Sequence, residues 1–148
     1  MGSRPRKPGR SETSQPVDYW TLAELRYSIR RFLRAREIAA RAAGVAPQHY
    51  LLLLQLKGLE GRQRATIGVL AERLQLRHHT TVELVDRLAR GKLVTREPTG
   101  REVTVKLLPA GEAVLRKLAL SSIAELQTEG PALVSVLKRL IRERTSPG

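Results

Sequence analysis

The chain has no cysteine among its 148 residues. Disulfides, thiol redox sensing and thiolate metal sites are therefore excluded. Aromatic residues are almost as scarce, with one Trp, one Phe and three Tyr. The core must then be built from Leu, Val, Ile and Ala, a composition that suits helices. Acids are few, 14 against 27 Lys and Arg, which leaves a net charge of +13 and a pI near 11.3. Such an imbalance in a short chain points to a polyanionic partner, and nucleic acid is the commonest one. A membrane surface is the rival. It calls for a basic amphipathic helix with bulky apolar anchors, and one Trp and one Phe speak against that. No apolar run approaches the ~18 residues that span a bilayer, and the basic N-terminus lacks an apolar signal core. A cytoplasmic protein with no membrane partner is the expectation. The length suits one domain with a real core and is too short for two ordinary ones. No repeat at a solenoid period is present.

Catalytic chemistry is missing too. No Ser or Thr is set beside a His–acid pair, and there is no glycine-rich phosphate loop. An enzyme is the least favoured class, and no cofactor is expected. His78 and His79 are adjacent, so they point in different directions on a helix, and no carboxylate or third His stands at ligand spacing. No metal site is expected. His49 reads as structural or solvent-exposed.

What is present centres on Thr66 to Val105. Thr66 suits the N-cap of a short helix whose inner face carries Ile67, Leu70 and Leu74. Gln75-Leu76 makes the turn. A second helix is predicted from about His78 to Arg90, with Thr81, Leu84, Val85 and Leu88 inward. Gly91 is expected to stop it in a left-handed conformation. Leu93 to Arg96 and Arg101 to Leu107 read as two strands, with Pro98-Thr99-Gly100 as turn. Helix, turn, helix and hairpin in this order make a winged helix-turn-helix. The second helix turns His79, Thr80, Glu83, Arg87 and Arg90 outward, as a helix lying in a major groove must. Arg77, His78, His79 and Thr80 crowd its N-terminus, where free N–H groups and the dipole favour phosphate. Asp86 is one of few acids in this basic stretch. An ion pair with Arg96 or Arg101, Arg101 preferred, would fix the hairpin on the helix.

LAERLQL, VELVDRLARGKLVTR and REVTVKLLPAG together resemble the MarR family of bacterial transcription regulators. The resemblance runs from about Tyr19 to the C-terminal helices. Its most specific part is Val85 to Leu88, followed by Gly91-Lys92-Leu93-Val94 and Arg96. It implies a mainly α fold with a small β-hairpin wing, dimerised through its N- and C-terminal helices. It also implies a sequence-specific regulator, most often a repressor, on a pseudo-palindromic double-stranded operator. Arg77, His79, Thr80 and Arg87 would read bases or fix register, and Arg96 and Arg101 would hold the backbone. Thr66, His78 and Glu83 complete the expected DNA-binding set. Many members release DNA when a small aromatic or phenolic ligand binds, so an effector is implied, although the low aromatic content gives an aromatic pocket no support. Some members sense oxidants through a cysteine, which this chain lacks. The wing departs from the family: Thr99-Gly100-Arg101 keeps the Arg of an Asp-x-Arg pattern and loses the Asp. The turn is also shorter, and Leu108 replaces a capping Thr. Localisation in the bacterial cytoplasm, at the nucleoid, would follow.

The flanks fit this frame. Residues 1–17 form a basic tail expected to be disordered, with Arg4, Arg6, Lys7 and Arg10. The domain would be 18–148, with a DNA-binding lobe over about 46–108 and dimerisation helices over 18–44 and 109–143. The first helix should begin near Asp18 or Thr21, where Thr21-Leu22-Ala23-Glu24 reads as a capping box, and end at Gly44. Arg26, Arg30 and Arg34 form a ridge on it that reads first as a solvated face. Ala46-Pro47 opens the next helix. Gly130-Pro131 is expected to break the C-terminal region into two helices. The terminal helices carry more apolar surface than a lone winged-helix domain can cover, which marks an interface. Leu22, Leu25, Ile29, Leu133, Leu137 and Leu140 are the residues expected there. The alternatives are a nonspecific architectural DNA binder and a winged-helix module for protein or RNA.

Overall fold

A computed structural model describes residues 2–3 and 16–145. Nearly all of the expected basic tail lies outside the described residues. The order is α1 (Tyr19–Ala42), α2 (Pro47–Leu59), α3 (Ile67–Leu74), α4 (His78–Arg90), β1 (Val94–Thr99), β2 (Glu102–Leu107) and α5 (Pro109–Thr145). This is the expected mainly α fold with a hairpin wing.

Asp18 starts α1. Its carboxylate accepts from the Thr21 N–H at 3.0 Å and from the Thr21 hydroxyl at 2.6 Å. Thr21 is thus inside the helix and not the cap of a capping box. A charged acceptor satisfies an orphan N–H and also complements the helix dipole, so the earlier start wins. At the other end Gly44 takes φ 77°, and Val45 N–H reaches back to the Ala40 carbonyl. That is a Schellman ending on glycine.

α2 is the central scaffold. Leu52 and Leu53 are fully buried, and Tyr50, Leu56 and Leu59 nearly so. Against them pack Leu70 of α3, Val85 and Leu88 of α4, Val94 and Val105 of the wing, and Leu115 and Leu118 of α5. The wing has a piece that the strand pattern did not announce. Val105 N–H donates to the Ala65 carbonyl at 2.9 Å, and Thr66 bridges to Thr104. The residues before α3 therefore cover the outer edge of β2.

The hairpin turn is shorter than expected. Pro98 and Thr99 belong to β1, opposite Val103 and Glu102, and only Gly100-Arg101 connects the strands. Gly100 has φ 67° and Arg101 has no positive φ, as in a type II′ hairpin turn. The closing pair of a two-residue hairpin exchanges hydrogen bonds. Pro98 then falls at a non-bonded position, where its missing N–H costs the ladder nothing.

α5 is one helix of 37 residues with Pro131 inside it, so the expected break at Gly130-Pro131 does not occur. Proline removes one helical hydrogen bond, but its φ is compatible with a helix. Ion pairs to α1 hold the turns before it, and partial burial seats the turns after it. Before the proline, Glu125 pairs with Arg36 and Glu129 with Arg31; after it, Leu133, Val136 and Leu140 are half-buried. Of the residues expected at a subunit interface, Leu22, Ile29 and Leu137 are exposed, and Leu25, Leu133 and Leu140 are half-buried. Leu33, Ile123, Leu126, Val134 and Ile141 are exposed as well. No helix among the described residues is long and apolar enough to cross a membrane.

Candidate nucleic-acid interface

The site is built on α3 and α4. Thr66 caps α3, its hydroxyl accepting from the Val69 N–H at 3.2 Å. Gln75 closes α3 in the left-handed region at φ 54°, and its side-chain amide donates to the Glu72 carbonyl at 2.8 Å. Asn-like local bonding of this kind is what makes a non-glycine residue tolerable there. Leu76 N–H then reaches the Ala71 carbonyl, which sets the turn into α4.

α4 divides cleanly. Thr81, Leu84, Val85 and Leu88 are buried, and the Thr81 hydroxyl is satisfied by the Arg77 carbonyl at 3.0 Å. His79, Glu83, Arg87 and Arg90 are exposed on the opposite face, with Thr80 half-buried beside them. Arg77 sits at the N-cap without a side-chain cap bond, and the first turn holds no acid. The backbone N–H groups of His78, His79 and Thr80 thus begin the helix without helical acceptors. They lie with the exposed Arg77, His78 and His79 beside a concavity lined by Gly68, Glu72, Gln75 and Leu76, a grouping of donors and positive charge of the kind that favours an anion. The surrounding charge and the backbone donors favour the same ligand, a phosphate or a base edge.

The end of α4 corrects one expectation. Gly91 has φ −79°, and Lys92 is the left-handed residue at φ 58°. Lys92 N–H bonds the Ala89 carbonyl and Leu93 N–H the Leu88 carbonyl, a Schellman ending displaced by one residue. Leu93 is the hydrophobic residue that must point inward, and its position sets which residue turns.

Asp86 pairs with Arg96, not with Arg101. Arg96 also donates to the Val82 carbonyl at 3.4 Å. Asp86 and Val82 occupy the flank of α4 beside β1. Arg96 is two residues beyond the buried Val94 and so projects on the same side of the strand. Arg101 lies at the hairpin tip, about 13 Å farther out along the strand. Both arginines are exposed, but the Arg96 guanidinium is held against α4 while Arg101 stands at the tip. Across the hairpin Lys106 pairs with Glu97 at 2.8 Å, and the Thr104 hydroxyl donates to the Glu97 carbonyl.

One neighbour was missed. His49, in the first turn of α2, is half-buried, and burial followed by the nearby Arg87 charge pulls its pKa below the ordinary 6.5. Only the fold brings α2 beside α4, and no local signal in the sequence does so.

A helix-turn-helix with a two-stranded wing and an outward basic face is the architecture of a winged-helix DNA-binding protein. The profile of the MarR family matches residues 43–102. The HTH-type transcriptional regulator YsmB of Bacillus subtilis (strain 168) is 31% identical over 114 residues, which cover 72% of this chain and 74% of YsmB. The crystal structure of MepR from Staphylococcus aureus is similar with a TM-score of 0.71 at 17% identity, over 87% of this chain and all of MepR. AbsC from Streptomyces coelicolor is similar with a TM-score of 0.69 at 21% identity, over 90% of this chain and 94% of AbsC. The chain belongs to the MarR family of transcription regulators, and it is not an enzyme.

Proposed function

We propose that this chain is a homodimeric, sequence-specific DNA-binding regulator, acting as a repressor on a pseudo-palindromic operator. The carrying observation is the division of α4, with four buried residues on one face and His79, Glu83, Arg87 and Arg90 exposed on the other. Residues 46–108 act as the DNA-binding lobe, and 18–44 and 109–143 pair two subunits through their exposed apolar stripes. Arg77, His79, Thr80, Glu83 and Arg87 face the major groove, with His78 and the free N–H groups on the adjoining phosphate. Thr66 stands beside that phosphate, and Arg101 at the short wing tip holds the flanking backbone. Arg96 acts by holding the wing. MepR, which regulates the S. aureus multidrug efflux pump MepA, has been solved bound to DNA, and this supports the reading. Release by a small-molecule effector belongs to the same proposal.

The experiment is a salt titration of duplex binding with the native chain and with Arg77→Ala, Arg87→Ala and Arg101→Ala. Each lost phosphate contact should make the negative slope of log K against log salt shallower by about 0.9. Loss of a base contact should instead relax preference at one position, at about 1–3 kcal/mol. Unchanged slopes and unchanged preference in all three variants would overturn the assignment. The engagement of Arg96 by Asp86 and the two-residue wing tip favour a second reading, a nonspecific architectural DNA binder. That reading requires the salt slope without any preference.

A further inference from the structure

Pro131 lies within the continuous α5, and three features coincide around it. Pro131 has no N–H, so the Gln127 carbonyl loses its helical donor and the ring crowds it. Gly130 precedes it, among the poorest helix formers, and a Cβ there would meet nothing within 4 Å. Beside the pair a cavity of about 110 Å³ separates α5 from α1, lined by Ser28, Phe32, Ala35, Gly130 and Leu133. Helices bend sharply at such residues, and a bend needs space in the neighbouring packing. The cavity supplies that space.

The two sides of the pair are held differently. Before it, Leu115 and Leu118 are buried in the lobe core, Gly111 abuts the Leu93 backbone, and Glu125 and Glu129 pair with Arg36 and Arg31. After it, Leu133, Val136 and Leu140 are half-buried, and contacts of that apolar kind tolerate tilting. We infer that α5 is jointed at Gly130-Pro131, so that segment 131–145 changes its angle to the segment that carries the lobe. Resting on the proposed dimer, the joint sets the separation of the two reading heads. It lets one dimer accept half-sites at more than one spacing, where each base pair adds about 3.4 Å and about 34°.

The test uses Gly130→Ala/Pro131→Ala, which restores the donor and the helix propensity, with Pro131→Ala alone as a second variant. The chain is free of cysteine, so spin labels can be placed by Arg90→Cys and Lys138→Cys, both exposed positions. With labelled chains diluted in unlabelled ones, pulsed dipolar spectroscopy reads the lobe-to-terminus distance. The native chain should give a broad or two-peaked distribution that collapses to one narrow peak in the variants. Equal widths would overturn the joint whether or not DNA is bound. On the selected operator with its spacer changed by one base pair, the native chain should lose less than about threefold in affinity and the variants about tenfold or more. Equal losses would overturn the link to spacing. Failure of every form to bind duplex DNA would instead count against the proposed function, while the distance widths still decide the joint.

Discussion

Gly111 offers a prediction in which two effects of opposite sign compete. It lies in the first turns of α5, where alanine would gain about 1 kcal/mol of helix propensity. A Cβ built there, however, meets the Leu93 carbonyl oxygen at 2.2 Å and its carbon at 3.0 Å. An ordinary carbon–oxygen approach is about 3.3 Å, so helix and carbonyl must part by about 1 Å. Both groups are backbone, and neither can rotate away. The same carbonyl accepts the Leu108 N–H at 3.0 Å, the bond that ties the start of α5 to the corner between α4 and the wing. Overpacking costs about 1–3 kcal/mol, and weakening that bond about 1 more. The net effect of Gly111→Ala is therefore a loss of about 1–3 kcal/mol. At this chain length the loss lowers Tm by about 3–10 °C, read by thermal unfolding at one fixed protein concentration. Gly130→Ala is the control, because nothing lies within 4 Å of its Cβ and propensity alone should raise Tm. A Gly111→Ala protein as stable as the native chain would refute the close approach.

Other expectations concern α4 and its surroundings. Lys92→Gly should raise stability by about 0.5–1 kcal/mol in denaturant unfolding, because glycine relieves the positive φ. Gly91→Ala should change little, since its φ is negative and its Cβ would meet the Arg87 carbonyl at an ordinary 3.6 Å. The Asp86–Arg96 pair is about two-fifths exposed on each side, so a double-mutant cycle should return a coupling of about 0.5–1 kcal/mol. Asp86→Ala should also weaken DNA binding even though it removes a negative charge, and unchanged affinity would contradict the positioning role of Arg96. The folded His49 pKa lies below 6.5, so the unfolded chain binds the proton more readily. His49 thus makes a contribution that is full above pH 6.5 and is lost as pH falls through its folded pKa. His49→Gln should flatten that part of the stability–pH curve.

Much of this fold was legible because amphipathic period and capping chemistry agree. Thr66 caps α3, and α4 spans His78 to Arg90 with the expected residues buried. Readings failed where two local rules compete and packing decides. Glycine is the better left-handed residue, yet the inward placement of Leu93 puts Lys92 there. Gly130-Pro131 is a strong local breaker, yet ion pairs to α1 hold the turns before it and Leu133, Val136 and Leu140 are half-buried after it. Asp18 and Thr21 both suit a cap, and the carboxylate takes the role while the Thr hydroxyl turns back to it. The partner of Asp86 depends on strand length. Once Pro98 and Thr99 extend β1, Arg101 moves to the tip and only Arg96 stays beside α4. The approach of His49 to Arg87 is a tertiary fact with no local sign.

The central claim is that two copies of this chain read duplex DNA through α4. Selection from random duplexes at near-physiological salt, followed by sequencing, tests it most directly. Two α4 helices one DNA turn apart should enrich an inverted repeat with half-site centres about 10 base pairs apart. Binding with no enriched motif, or no duplex binding at all, would contradict it.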